Sequence, residues 1–236
     1  MKTIFLDFDG VLFDTVLESY LLARYAYYGI EPFEKINESE YTIFHLLRYL
    51  IIHSWHYYYI MKLISEKISF NNFAKEYKNA ILNRNIEADI EFDMKFQQKR
   101  KDLVKNHFDF WNKLDKPYPF FEKIKSISNI YNILIVSTKN EDIILRHCKD
   151  YKLEIDEKNI IGKTKLQEYG SKRAFLEYYI NTNKIKKSIF IDDAIATVKD
   201  CSNIQDLDVY CANWGYVADK KDGLNEEEIN NILKEL

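Results

Sequence analysis

Two carboxylates, Asp7 and Asp9, stand one residue apart where the apolar run Thr3-Ile4-Phe5-Leu6 ends. A strand that stops there can aim both into one crevice, where they repel unless a cation lies between them or one keeps a proton. Taken alone, the pair fits a turn or a metal-only site as well as a nucleophile with an acid–base partner. Asp192-Asp193 closes a second apolar run, Ser188-Ile189-Phe190-Ile191. Carboxylates there could complete an oxygen-rich site for Mg²⁺, a hard ion, although a lone Asp-Asp also suits a solvated turn. Ser137 and Thr138 follow the run Ile133-Leu134-Ile135-Val136 and precede a helix start. Their hydroxyls could cradle a phosphate together with helix amides, or could simply cap that helix. Lys172 begins a helix behind Ser171, where an ammonium can neutralise phosphate and keep a carboxylate ionised. Lys163 and Lys165, just after Asn159-Ile160-Ile161, compete for the same role.

The elements that must position these residues fall into two patterns. Thr3 to Phe8 reads as a buried first strand, and Thr15-Val16-Leu17-Glu18 as a capping box that opens a helix. From about residue 15 to 115 apolar residues recur three and four apart, which predicts helices over Thr15 to Tyr28, Glu38 to Lys67, Phe70 to Arg84 and Asp89 to Leu114. After Lys116-Pro117-Tyr118-Pro119 the pattern becomes alternating. Helices are expected at Phe120 to Ser128, from Glu141 behind an Asn140 cap, from Lys172, over Ala194 to Cys201, and from Asn225-Glu226-Glu227-Glu228. Between them lie strands at Asn132 to Ser137, Asn159 to Ile161, Ser188 to Asp192 and Asp208 to Cys211. Short apolar strands alternating with helices predict an α/β fold, a doubly wound parallel sheet with helices on both faces. Ligands of such sheets sit beyond the carboxyl ends of the strands. Residues 1–15 and 116–236 are expected to form this core, with an all-helical domain over 16–115 inserted after the first strand as a lid.

The 236 residues are 47% hydrophobic and 30% charged, with only 6 Gly and 3 Pro, a composition that excludes long disordered linkers. A formal charge of -3 gives no cationic field to draw in nucleic acid or an anionic membrane. Cys148, Cys201 and Cys211 form no CxxC pair and are odd in number, so neither a disulfide framework nor a zinc site is implied, and a reducing cytoplasm fits best. The apolar start is too short for a signal peptide, and Tyr41 to Met61 carries His45, Arg48, His53 and His56, which excludes a membrane span. Those four residues, with Trp55 and the neighbouring tyrosines, either face a ligand or pack helices.

Together these residues resemble the haloacid dehalogenase superfamily, in its phosphoglycolate phosphatase and beta-phosphoglucomutase branch with a helical cap. Asp7-Phe8-Asp9-Gly10-Val11-Leu12-Phe13-Asp14-Thr15 is similar to the first family motif, and Tyr118-Pro119 to the re-entry from the cap. Ile135-Val136-Ser137-Thr138-Lys139 is similar to the second motif and Ile191-Asp192-Asp193 to the fourth, while the lysine motif lacks the usual Lys-Pro. The resemblance implies a phosphatase acting on a small phosphorylated metabolite. In that reading Asp7 is the nucleophile and Asp9 the general acid and base. Ser137, Thr138 and Lys172 bind phosphate, and Mg²⁺ is held by Asp7, the Asp9 carbonyl and Asp193, with Asp192 behind them. A phosphomutase of the same superfamily, a non-catalytic binding module and a phosphoacceptor receiver domain are the alternatives. Oligomeric state is not readable from the sequence.

Overall fold

The computed structural model describes residues 2–236, which divide into two compact units: residues up to Asp14 with Lys116–Leu236, and Thr15–Asp115.

The first unit is built on five parallel strands, β1 (Thr3–Leu6), β4 (Asn132–Val136), β5 (Ile160–Ile161), β6 (Ser188–Asp192) and β7 (Leu207–Cys211), in the order β5-β4-β1-β6-β7. Alternate residues of each strand face opposite ways, and both faces are apolar. Ile4, Leu6, Ile133, Ile135, Ile189 and Ile191 join one core. It is closed by Phe120, Phe121 and Ile124 of α7 (Pro119–Ile127), Ile144 and Cys148 of α8 (Glu141–Asp150), and Ile229 and Leu233 of α12 (Glu226–Glu235). Phe5, Leu134, Val136 and Phe190 join the other. There the cover is Leu166 of α9 (Lys163–Tyr169), Phe175, Leu176 and Ile180 of α10 (Lys172–Thr182), and Cys201 of α11 (Ile195–Cys201). This two-sided burial is the reason the strands are near-continuous apolar runs, as the doubly wound reading requires. β1 is flanked by β4 and β6, with Leu6 level with Ile135 and Ile191. The chain therefore leaves β1 in both directions across the sheet, and the crevice at such a point is where α/β sheets bind ligands.

A two-residue ribbon lies at the ends of the insertion. β2 (Phe13–Asp14) pairs antiparallel with β3 (Lys116–Pro117). Hydrophobic periodicity cannot reveal it, because two residues are too few to show a period.

The second unit is helical: α1 (Val16–Tyr28), α2 (Glu38–Leu46), α3 (His56–Ser65), α4 (Phe70–Leu82), α5 (Ile86–Asn106) and α6 (Phe108–Trp111). Three expectations fail here. The Thr15 side chain makes no capping hydrogen bond. Glu18, the intended partner, is fully buried instead, accepting two 2.7 Å hydrogen bonds from Arg100 and one of 2.9 Å from Trp111. A buried pair that ties α1 to α5 and α6 outweighs a cap worth about 1 kcal/mol. The helix expected over Glu38 to Lys67 is broken between α2 and α3, where a single 3-10 turn at Arg48–Leu50 leads into loop. The helix expected over Asp89 to Leu114 starts earlier, behind Asn85, whose side chain accepts from Glu87 and Ala88 N–H, and it breaks at His107. Among the described residues no helix is long and apolar enough to cross a membrane.

Candidate active site

β1 stops at Leu6 because the chain then turns tightly: the N–H groups of Leu12 and Phe13 both donate to Phe8 O at 3.0 Å, and Gly10 N–H donates to Phe13 O at 2.8 Å. Phe8 and Phe13 stack beneath the turn at 4.7 Å, on the fully buried His147. The turn leaves Asp7 buried and Asp9 half-buried at the carboxyl edge of the sheet. Gly10 has φ +83°, and a Cβ there would lie 2.0 Å from Asp193 Oδ2, so the position excludes every side chain on two counts.

Asp192 ends β6 and Asp193 follows it. Their carboxylates, with that of Asp7, offer ligand atoms that all lie within 4.8 Å of one another. The two neighbours are held differently. Asp192 Oδ1 accepts from Ala194 N–H at 2.8 Å and its Oδ2 from Lys172 Nζ at 2.7 Å, so both oxygens are engaged. Asp193 Oδ2 accepts from Tyr216 N–H at 2.6 Å.

Lys172 opens α10, whose N-terminus is capped by the Ser171 side chain accepting from Ala174 N–H. Its Nζ also lies 3.0 Å from Asp7 Oδ1, an ion pair in which that buried oxygen has no hydrogen-bond partner. One ammonium thus serves two carboxylates, and the closer one is Asp192. Burial works against the Lys172 charge, but the Asp192 and Asp7 carboxylates more than offset it and raise its pKa. For Asp7 the balance is opposite. Burial pushes its carboxyl from 3.8 up to about 6, Lys172 pulls it back only in part, and Asp192 and Asp9 add to the rise.

Of the three candidate lysines, only Lys172 reaches Asp7. Lys163 is exposed at the start of α9, and Lys165 Nζ donates to the carbonyls of Glu157 and Ile160. α9 itself is an element the sequence reading missed, since it takes in both rivals. Ser137 is buried immediately beyond β4, where its Oγ accepts from Lys139 N–H at 3.4 Å, whereas Thr138 is exposed. Asn140 makes no side-chain cap on α8, contrary to expectation. Glu141 instead turns to α9 and accepts from Lys165 N–H at 2.8 Å.

Two features escaped sequence reasoning. Lys139 is buried, with Nζ 3.0 Å from Asp9 Oδ1. The second is a strap beyond β7, Asn213-Trp214-Gly215-Tyr216. Trp214 Nε1 donates to Val11 O at 3.0 Å, Tyr216 OH donates to Asp14 Oδ1 at 3.2 Å, and Gly215 lies so close that a Cβ would meet Gly10 O at 2.3 Å. The signal was present: a glycine between two aromatics, directly after a buried strand, marks close backbone approach.

In the histidine-rich segment of the helical unit His56 is packed inside, whereas His45 and His53 are exposed. His56 is buried, with Nδ1 2.8 Å from Tyr77 OH, and burial pushes its pKa down to about 4. Trp55 lies under the Arg84 guanidinium at 4.7 Å.

No family model and no curated protein matches the sequence. Solved structures do. A predicted phosphoglycolate phosphatase from Haemophilus somnus aligns with TM-score 0.65 at 14% identity, over 99% of this chain and 98% of that one. A predicted phosphatase from Clostridium acetobutylicum aligns with TM-score 0.60 at 14% identity, over 100% and 99%. A provisionally named HAD-hydrolase, YfnB from Bacillus subtilis, solved with magnesium bound, aligns with TM-score 0.54 at 13% identity, over 98% of each chain. Along nearly its whole length, the chain has the fold of the haloacid-dehalogenase-like hydrolases.

Proposed function

We propose that this protein is a Mg²⁺-dependent phosphatase that hydrolyses a small phosphomonoester through a phosphoryl group carried on Asp7. The observation that carries the reading is the setting of Asp7: a buried carboxylate at the crevice of the sheet, 3.0 Å from Lys172 and grouped with Asp192 and Asp193. The family resemblance of the four motifs and the phosphatase names of the fold neighbours support it.

The residues fit a divalent cation. The donors are all oxygen, as Mg²⁺ prefers. Asp7 Oδ1 is buried without a hydrogen-bond partner, and the Asp7, Asp192 and Asp193 carboxylates are gathered within 4.8 Å, with Lys172 shared between Asp7 and Asp192. Carboxylates gathered this closely repel one another unless a cation lies between them. Asp7, the Asp9 carbonyl and Asp193 would hold it; Asp192, with both oxygens engaged, stays behind them. When bound, Mg²⁺ would supply Lewis-acid stabilisation of a phosphoryl oxygen.

The chain's own groups do the rest. Ionised Asp7 attacks phosphorus, and the bond to the leaving oxygen breaks as Asp9 gives that oxygen a proton. Ser137 and Lys172 hold the phosphoryl oxygens, with Thr138 at their edge. Asp9, now ionised, takes a proton from water, which attacks phosphorus and frees Asp7. A sugar, polyol or amino-alcohol phosphate is the proposed substrate class, and the roughly hundred-residue helical insertion is the site of selectivity. Purified protein assayed with Mg²⁺ against para-nitrophenyl phosphate and a panel of phosphorylated metabolites tests this. Turnover that depends on Mg²⁺ is expected; no turnover of any phosphomonoester would remove the reading.

A further inference from the structure

The first two carboxylates of the Asp7–Thr15 segment each lie beside a lysine: Lys172, shared with Asp192, stands beside Asp7, and Lys139 beside Asp9. Lys139 is the unassigned one. Its backbone is fixed on both sides, with its N–H directed at Ser137 Oγ (3.4 Å) and its carbonyl accepting from Lys163 N–H at 2.9 Å. The carbonyl is packed so closely that a Cβ on Gly162 would come within 2.6 Å of it. Its side chain is only 3% exposed, with Nζ 3.0 Å from Asp9 Oδ1 and 5.5 Å from the centroid of the Phe8 ring. Asp9, by contrast, keeps 22% of its side chain exposed. The lysine therefore holds the carboxylate from the buried side, while part of the carboxylate stays exposed.

Burying an ammonium this deeply is unfavourable unless a fixed anion answers it, and Asp9 provides one. The pairing has a consequence for geometry. Asp9 repels Asp7, and the Lys172 ammonium beside Asp7 would also attract it. Lys139 draws it the other way.

We infer that Lys139 is a positioning residue for proton transfer, holding the Asp9 carboxyl where it meets the leaving oxygen and keeping it off the Asp7–Lys172 pair. The inference rests on the phosphatase reading above. In the step concerned, Asp7 forms a bond to phosphorus and the bond from phosphorus to the leaving oxygen breaks. The electron pair goes to that oxygen, which takes a proton that Asp9 has first accepted from the monoanionic phosphate of the substrate, and Asp9 returns to the carboxylate that lies against the Lys139 ammonium.

A merely structural ion pair and a positioning one differ in their dependence on the leaving group. Para-nitrophenolate departs without a proton, whereas the alkoxide of benzyl alcohol, of nearly the same shape, needs one. The experiment measures kcat/KM with Mg²⁺ for para-nitrophenyl phosphate and benzyl phosphate, because that ratio reports steps up to leaving-group departure. Lys139→Met and Lys139→Gln are compared with wild type, so that a folded variant remains if one melts, and para-nitrophenyl phosphate turnover checks the metal site in each. Expected is a loss of at least about 100-fold on benzyl phosphate and under about 5-fold on para-nitrophenyl phosphate, the range of a displaced general acid. In an Asp9→Asn background, removing Lys139 should cost under about 3-fold more, because residues acting as one unit are not additive. Equal losses on both substrates in a folded variant, no loss on either, or a further loss of about 10-fold or more in the Asp9→Asn background would overturn the inference. A wild-type protein that turns over neither substrate overturns the phosphatase reading and this inference with it, whereas wild-type turnover without the split overturns this inference alone.

Discussion

Lys172 stands between two carboxylates and satisfies Asp192 better than Asp7, at 2.7 Å against 3.0 Å. This unequal sharing leaves the Asp7 carboxylate, the proposed nucleophile, only partly compensated. It has a measurable sign. The Asp7 carboxyl is raised from 3.8 to about 6, so the folded protein binds that proton more tightly than the unfolded chain does. Stability tied to this group is full below about 4 and is lost as pH rises through about 6, on the order of 3 kcal/mol. Denaturation in EDTA should therefore show metal-free wild type losing stability between these pH values relative to Asp7→Asn, and Mg²⁺ should restore it; parallel pH profiles of the two proteins would refute the account of Asp7. Removing the ammonium should be costly in rate. Lys172→Ala should lose about 2–4 kcal/mol of transition-state stabilisation, the scale of a lost phosphate donor, while Lys163→Ala and Lys165→Ala should lose under about 1 kcal/mol. Steady-state kcat/KM on one substrate separates the three, and a crippled Lys165→Ala beside an active Lys172→Ala would reverse the assignment. Lys172 was legible because Ser171 is a good N-cap, which fixes the helix start and hence the reach of the side chain. Lys139 was not, since nothing in a sequence says which of two carboxylates a lysine will meet across 130 residues.

At the scale of elements, legibility followed burial. Strands buried on both faces, such as Ile133 to Val136, are readable as apolar runs, and the caps at Ser171 and Asn225 mark helix starts correctly, the latter as a full capping box. Elements held by tertiary contacts were misread. Thr15 and Glu18 have the spacing of a capping box, yet Glu18 is taken by Arg100 and Trp111. The β2–β3 ribbon and the strap after β7 are short and owe their shape to what they touch. That strap supports the site through Gly215, whose Cβ would fall 2.3 Å from Gly10 O and 2.5 Å from Asp193 Cβ. Gly215→Ala must push the first-motif turn and Asp193 apart. We expect a folded protein, destabilised by about 1–3 kcal/mol, with Mg²⁺ affinity lowered about 10–100-fold, as when the support of a metal ligand is removed. Calorimetric titration reads this directly, and unchanged affinity in the variant would show that the strap does not support Asp193.

For the molecule as a whole, the sheet brings the ends of β1, β4 and β6 side by side, so residues 7, 137 and 192 meet although the sequence separates them widely. An all-oxygen site of this kind should work with Mg²⁺ and accept Mn²⁺. Ca²⁺ takes more ligands at longer distances and should inhibit by misplacing the nucleophile. EDTA should abolish turnover; full activity in metal-free buffer would remove the ion, and the role of Asp193, from the account. The central claim is that phosphate passes through a covalent bond to Asp7. Rapid quench of protein mixed with substrate and Mg²⁺, followed by borohydride reduction and peptide mass spectrometry, tests it most directly, because an acyl phosphate is reduced to a homoserine at the residue that carried it. The account predicts homoserine at position 7, in substrate-dependent amount and absent from Asp7→Asn. Turnover with no reduced residue, or reduction at Asp9, Asp192 or Asp193 instead, would contradict it.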